Sequence, residues 1–240
     1  MNTASVTFEP RRVGGVPLLL AVPREGSGPL PLVLWFHGFG VDAEVHRPEL
    51  QRLAEAGFVA AGVDAAGHGR RRLSDLDARI GAPREAARRT MLELAAETAG
   101  DVPAVVQALV DEGLANPRRV AVAGVSMGGY VVYRSLLVEP SIRAAAAILG
   151  SPEWPGDDSP HLHPEAFHRT ALLSVTAGAD ENVPPAAARA FHQALAEGHP
   201  EPSRARYIEI PGAEHLMNGE QWEVAMDETI RWLMAHTLHE

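Results

Sequence analysis

Val120-Ala121-Val122-Ala123-Gly124-Val125-Ser126-Met127-Gly128-Gly129-Tyr130 passes from an apolar run, through a glycine-rich turn, into a helical pattern. The run 120–123 has no polar alternation, as expected of a strand buried on both faces. Gly124-Val125-Ser126-Met127-Gly128 is a G-x-S-x-G pattern, and 129–139 reads as a helix. A serine between strand and helix at this spacing sits on a sharp, strained turn, its hydroxyl lifted above the sheet. Glycine provides the close approach that such a turn needs. The N–H groups that follow lie at a helix N-terminus, where they favour negative charge. The bland alternative is a glycine-rich turn with an incidental serine; the strand–turn–helix context weighs against it.

Outward from this stretch the chain alternates short apolar runs with Ala- and Leu-rich helical patterns. Strands are expected at 6–11, 18–22, 32–36, 59–63, 120–123, 145–149, 172–176 and 207–210. Helices are expected at 48–56, 83–99, 102–112, 129–139, 185–197 and 221–236. The first two strands read as an antiparallel hairpin turning at Gly14-Gly15. The remainder predicts an α/β fold, a mostly parallel eight-stranded sheet with helices on both faces. Residues 1–240 read as one domain, since α/β folds of about 200–250 residues commonly form a unit. Segments 65–99 and 151–169 are candidate lids.

Composition narrows the function classes. With no Cys among 240 residues there is no disulfide framework, thiolate nucleophile or Cys-ligated metal. The 21 basic residues against 31 acidic give a net charge of −10, which repels polyphosphate, and at 5% aromatic residues few rings are available to stack bases. Nucleic-acid partners are therefore not expected. No apolar stretch approaches the ~18–20 residues of a membrane span. The start, Met1 to Arg12, lacks a basic-then-apolar pattern, so the expectation is a cytoplasmic protein, a monomer or small homo-oligomer.

Ligands of open α/β sheets bind at the carboxyl ends of the strands, so the loops after strands hold the candidates. Trp35-Phe36-His37-Gly38-Phe39-Gly40 follows an early strand. An oxyanion hole takes one N–H from the residue after the nucleophile, here Met127, and one from such a loop, here Phe39. Asp180, in Thr176-Ala177-Gly178-Ala179-Asp180-Glu181, is the candidate carboxylate, with Glu181 as its rival. His215, in Pro211-Gly212-Ala213-Glu214-His215, is the candidate base. A serine hydroxyl needs an imidazole to take its proton, and a carboxylate to fix the imidazole tautomer. The chain order Ser126, Asp180, His215 is the one this scaffold uses. His37, Trp154 and Phe167, with Leu162 and Met127, are candidates for substrate contacts. His161, His163, His168, Asp157 and Asp158 could be drawn as a metal site, but a solvated loop is the favoured reading. Arg70 lies near the site in a run of three arginines that otherwise reads as a solvated face.

These motifs resemble the α/β-hydrolase superfamily, in particular small serine carboxylesterases related to dienelactone hydrolase. Val63-Asp64-Ala65-Ala66-Gly67-His68-Gly69 resembles its D-x-x-G-H-G segment, and Asp180 stands four residues before Pro184, as in its D-x-x-V-P segment. The resemblance implies that Asp64 and His68 lie near the active face, where structural hydrogen bonding is the expected role, and it implies a catalytic His215. Dienelactone hydrolase itself has a Cys nucleophile; Ser126 turns the expectation towards ordinary ester hydrolysis. The expected activity is a carboxylesterase for short to medium acyl chains, with a small-molecule ester as partner and no cofactor or metal. A thioesterase, acyl-peptide hydrolase or perhydrolase would use the same three residues. A non-catalytic binding module of the same fold normally loses one of them, and all three stand here.

Overall fold

The computed structural model describes residues 6–24 and 28–238. β1 (Val6–Val13) and β2 (Val16–Pro23) form the antiparallel hairpin. There follow β3 (Leu30–Phe36), α1 (Arg47–Glu55), β4 (Val59–Val63), α2 (Leu76–Ile80), α3 (Arg84–Asp111) and β5 (Ala115–Val125). The chain then runs through α4 (Met127–Val138), β6 (Ile142–Ile148), β7 (Ala171–Ala177), α5 (Ala186–Gly198), β8 (Ala205–Ile210) and α6 (Gly219–Thr237). The strands form one sheet in the order β1-β2-β4-β3-β5-β6-β7-β8, parallel from β4 to β8.

Strand alternation sorts the apolar side chains onto two faces. Leu32, Leu34, Phe36, Val120 and Val122 join residues of α3, α4 and α5 in one core. Val33, Trp35, Ala121, Ala123, Ala144 and Ala146 join residues of α1 and α6 in the other. The chain leaves β3 for β4 on one side and returns through α3 to β5 on the other. The strand order reverses there, and a crevice opens above the carboxyl ends of β3 and β5.

The expected helix boundaries need correction in one place. The helices predicted at 83–99 and 102–112 are one helix, with Pro103 inside it. Proline removes one N–H from the helical ladder. Buried Ala95 and Ala99 before it and Val102, Val105, Val106 and Leu109 after it hold the helix against the sheet. The segment 151–169, expected as a candidate lid, has little regular structure. It folds as two 3-10 turns, Pro160–Leu162 and Pro164–Phe167, and none of its residues lines the crevice around Ser126.

Two buried histidines make the fold sensitive to acid. His192 on α5 meets Ser174 Oγ at 2.7 Å, and the same hydroxyl meets Tyr133 on α4 at 2.5 Å. Burial lowers His192 from 6.5 to about 4, and burial likewise takes His37 to about 4. Between these values the unfolded chain binds a proton at each position and the folded chain does not. Folding stability is therefore lost as pH falls from 6.5 towards 4, by about 3 kcal/mol for each histidine. Urea unfolding at pH 7 and pH 4.5 measures this, and His192→Gln should flatten the dependence by the His192 contribution. Equal slopes for variant and wild type would remove the assignment to His192.

Candidate active site

Ser126 sits between β5 and α4 with φ 56° and ψ −117°. This left-handed backbone is sterically costly for any residue with a Cβ. It is held from both sides: Ser126 N–H donates to the Ile148 carbonyl at 2.9 Å, and the Ser126 carbonyl accepts from Gly129 N–H at 2.8 Å. The flanking glycines allow the approach. A Cβ on Gly128 would lie 2.1 Å from the Phe36 carbonyl oxygen, and one on Gly124 would lie 2.6 Å from that of Gly128. The turn is thus wedged between the ends of β3 and β6.

The loops after β7 and β8 are tied by Ala179 N–H to the Ala213 carbonyl, 2.8 Å, and Gly178 N–H to the Ile210 carbonyl, 2.9 Å. They bring Asp180 and His215 to Ser126. Ser126 Oγ lies 3.0 Å from His215 Nε2, and His215 Nδ1 lies 2.7 Å from Asp180 Oδ2. The Asp180 side chain is buried, and its Oδ1 accepts from Asn182 N–H and Val183 N–H, both at 2.8 Å. A carboxylate at Oδ2 takes the Nδ1 hydrogen, leaving Nε2 as acceptor for the serine hydroxyl. Glu181 is exposed; its carbonyl, not its carboxylate, accepts from Arg84. Met127 opens α4, where the first N–H groups have no intrahelical acceptor. Phe39 N–H has no acceptor among the described residues. A Cβ built on Gly38, beside it, would stand 3.7 Å from Ser126 Cβ.

These groups face a groove of about 570 Å³ with mainly apolar walls. Arg84, Ala87, Arg88 and Met91 form one stripe of α3, and Ile80 of α2 lies just before it. Phe39, Tyr130, Leu149, Val183 and Leu216 add further walls. Among the described lining residues none is Asp or Glu. Both non-glycine residues described with positive φ, Ser126 and Leu149, are in this groove.

The proposed substrate contacts fall elsewhere. His37 is fully buried: its Nδ1–H donates to the Gly38 carbonyl, and its Nε2 accepts from Ala65 N–H. Phe167 is core, its ring 5.0 Å from that of Phe191. Trp154 lines a separate cleft of about 420 Å³, under the Arg134 guanidinium. Met127 is buried, and Leu162 is exposed away from the groove. His37 and Phe167 are buried and Trp154 faces the other cleft, so none of the three lines the groove. Ile80 and the α3 stripe lie within the segment 65–99, expected as a candidate lid, but none of these residues was singled out, although the i, i+3, i+4, i+7 spacing is a readable signal. Asp64 braces two loops, accepting from Ala43 N–H at 3.2 Å and Arg70 N–H at 3.0 Å. Arg70 is held there by Asp64 and Glu44 and does not line the groove. His161 pairs with Ser159 Oγ, and His163 with the Asp157 carbonyl. No cluster among the described residues has three His, Asp or Glu side chains placed for a metal ion.

Comparisons with known proteins agree with this architecture. The model of the family described as "Serine aminopeptidase, S33" matches residues 28–166. The chain is 29% identical over 147 residues to the esterase YjfP of Escherichia coli (strain K12), across 61% of this chain; the match spans 56% of that protein's length. It is 25% identical to YitV of Bacillus subtilis (strain 168), provisionally named an esterase, across 95% of this chain and 98% of that one. A provisionally named dienelactone hydrolase from Klebsiella pneumoniae superposes with a TM-score of 0.79 at 18% identity, over 95% of this chain and 98% of that one.

Proposed function

Because the chain belongs to the serine aminopeptidase S33 family and carries the α/β-hydrolase fold, it is a serine hydrolase, and we propose that it cleaves carboxylic esters of short to medium acyl chains. The observation that carries this reading is the hydrogen-bonded series Ser126–His215–Asp180, opening into an apolar groove. His215 Nε2 takes the Ser126 proton as Oγ attacks the ester carbonyl. The Phe39 and Met127 N–H groups hold the tetrahedral oxyanion. The imidazolium protonates the leaving alcohol, and the acyl group remains on Ser126. Water, deprotonated by His215, then attacks the acyl carbonyl and releases the acid and the serine hydroxyl. None of these steps calls on a cofactor. No helix among the described residues is long and apolar enough to cross a membrane.

The family description raises a second reading, an aminopeptidase. Such an enzyme must hold a substrate ammonium group, and a buried cation needs a paired anion. The groove offers Arg84 and Arg88 and no lining carboxylate among the described residues, which favours esters. Steady-state rates on p-nitrophenyl esters of increasing acyl length, acyl-thioesters and peptide anilides with free amino groups separate these readings. The expected order has butyrate and its near neighbours highest and the free-amino anilides at least 100-fold lower in kcat/KM. Anilides turned over faster than the esters would overturn the esterase reading.

A further inference from the structure

We infer that His37 and His68 form a crossed clamp that aims the Phe39 N–H at the reacting carbonyl, making both histidines positioning residues for the proposed ester hydrolysis. The inference rests on the reading of Phe39 N–H as an oxyanion donor. Neither ring touches the groove; both are fully buried beneath its floor.

The Gly38 carbonyl and the Phe39 N–H belong to one peptide unit. No cis peptide is present among the described residues, so the two groups point in opposite directions. His37 Nδ1–H donates to the Gly38 carbonyl at 2.8 Å. Holding that oxygen down fixes the N–H on the far side of the same plane. The peptide that follows is held as well: Gly40 N–H donates to His68 Nε2 at 3.1 Å.

The second nitrogen of each ring is anchored in the loop after β4. Ala65 N–H donates to His37 Nε2 at 3.0 Å, and His68 Nδ1–H donates to the Ala66 carbonyl at 2.8 Å. Each Nε2 therefore faces a backbone donor, and each Nδ1 faces a carbonyl. Only the neutral Nδ1–H tautomer satisfies all four contacts. The rings meet edge to face at 5.2 Å, and Phe39 lies 5.6 Å from His68. Burial keeps both imidazoles below their ordinary pKa and so in the neutral form. With no solvent at either ring, a lost contact has no replacement.

The clamp makes a crossed prediction for amide substitutions. Asparagine places its side-chain amide near the Nδ1 position, and glutamine places its carbonyl oxygen near the Nε2 position. At His37 the contact that aims Phe39 is through Nδ1, so His37→Asn keeps it and His37→Gln loses it. At His68 the contact to the loop is through Nε2, so His68→Gln keeps it and His68→Asn loses it. The expected result is a kcat about 10–100-fold lower in His37→Gln and His68→Asn, with KM within about threefold of wild type. A trifluoromethyl ketone, whose adduct carries an oxyanion, should bind more weakly by the same factor. His37→Asn and His68→Gln should recover most of both losses. Thermal melts followed by circular dichroism identify folded variants; if one position does not tolerate its pair, the pair at the other decides. Equal kcat for the two amides at the same position, or losses confined to KM, would overturn the clamp. Ser126→Ala separates the two levels. Full turnover in that variant removes the esterase site itself. An inactive Ser126→Ala beside an uncrossed amide pattern removes only the clamp.

Discussion

Ser126→Ala lowers kcat on p-nitrophenyl butyrate by about 10⁴–10⁶-fold while the fold persists. Removing Oγ removes the atom that forms the acyl-enzyme, and the remaining groove offers only binding and oxyanion donors. Alanine meets the same steric constraint at φ 56° as serine does, so the turn keeps its geometry. Labelling by a fluorophosphonate reads the same event: wild type should take up one label per chain, and the variant none. A thermal midpoint unchanged beside the lost rate would separate chemistry from folding. Turnover above a hundredth of wild type in the purified variant would remove Ser126 from the nucleophile's role.

Asp180→Asn costs on the order of 10⁴ in kcat, as an Asp→Asn change at the equivalent place does in a serine protease. The reason lies in the backbone around it. Asn182 N–H and Val183 N–H both point at Oδ1, so an asparagine must turn its carbonyl oxygen towards them. Its NH₂ then faces His215 Nδ1 across the 2.7 Å contact that Oδ2 makes in the wild type. A donor there selects the Nε2–H tautomer, and that nitrogen can no longer take the serine proton. Glu181→Gln should change kcat by less than twofold, because the exposed Glu181 side chain takes no part in this network. A larger loss at Glu181 than at Asp180 would mean that the wrong carboxylate had been chosen.

The sheet was readable because its strands are short apolar runs; β4 spans the expected 59–63 to the residue. β5 runs longer than expected, since Asn116, Pro117, Arg118 and Arg119 disguise its start. Gly100 and Pro103 are local helix breakers, and local propensity alone splits α3 in two. Core packing on both sides of them overrides that preference. Ser126, Asp180 and His215 were readable because each lies in a short motif just after a strand. The individual wall residues were not, although the crossover 65–99 stood out as a candidate lid, because α2 and α3 carry no motif of their own. The clamp was half legible: His37 and His68 stood out in their motifs, but only coordinates show which nitrogen meets which peptide.

The left-handed backbone at Ser126 and Leu149 places a folding cost at the mouth of the groove. Such conformations cost on the order of 1–3 kcal/mol each, and glycine would relieve them for a smaller entropic loss. A glycine at position 126 would therefore make the turn easier to hold while removing the hydroxyl that attacks, so the strain is tied to the chemistry.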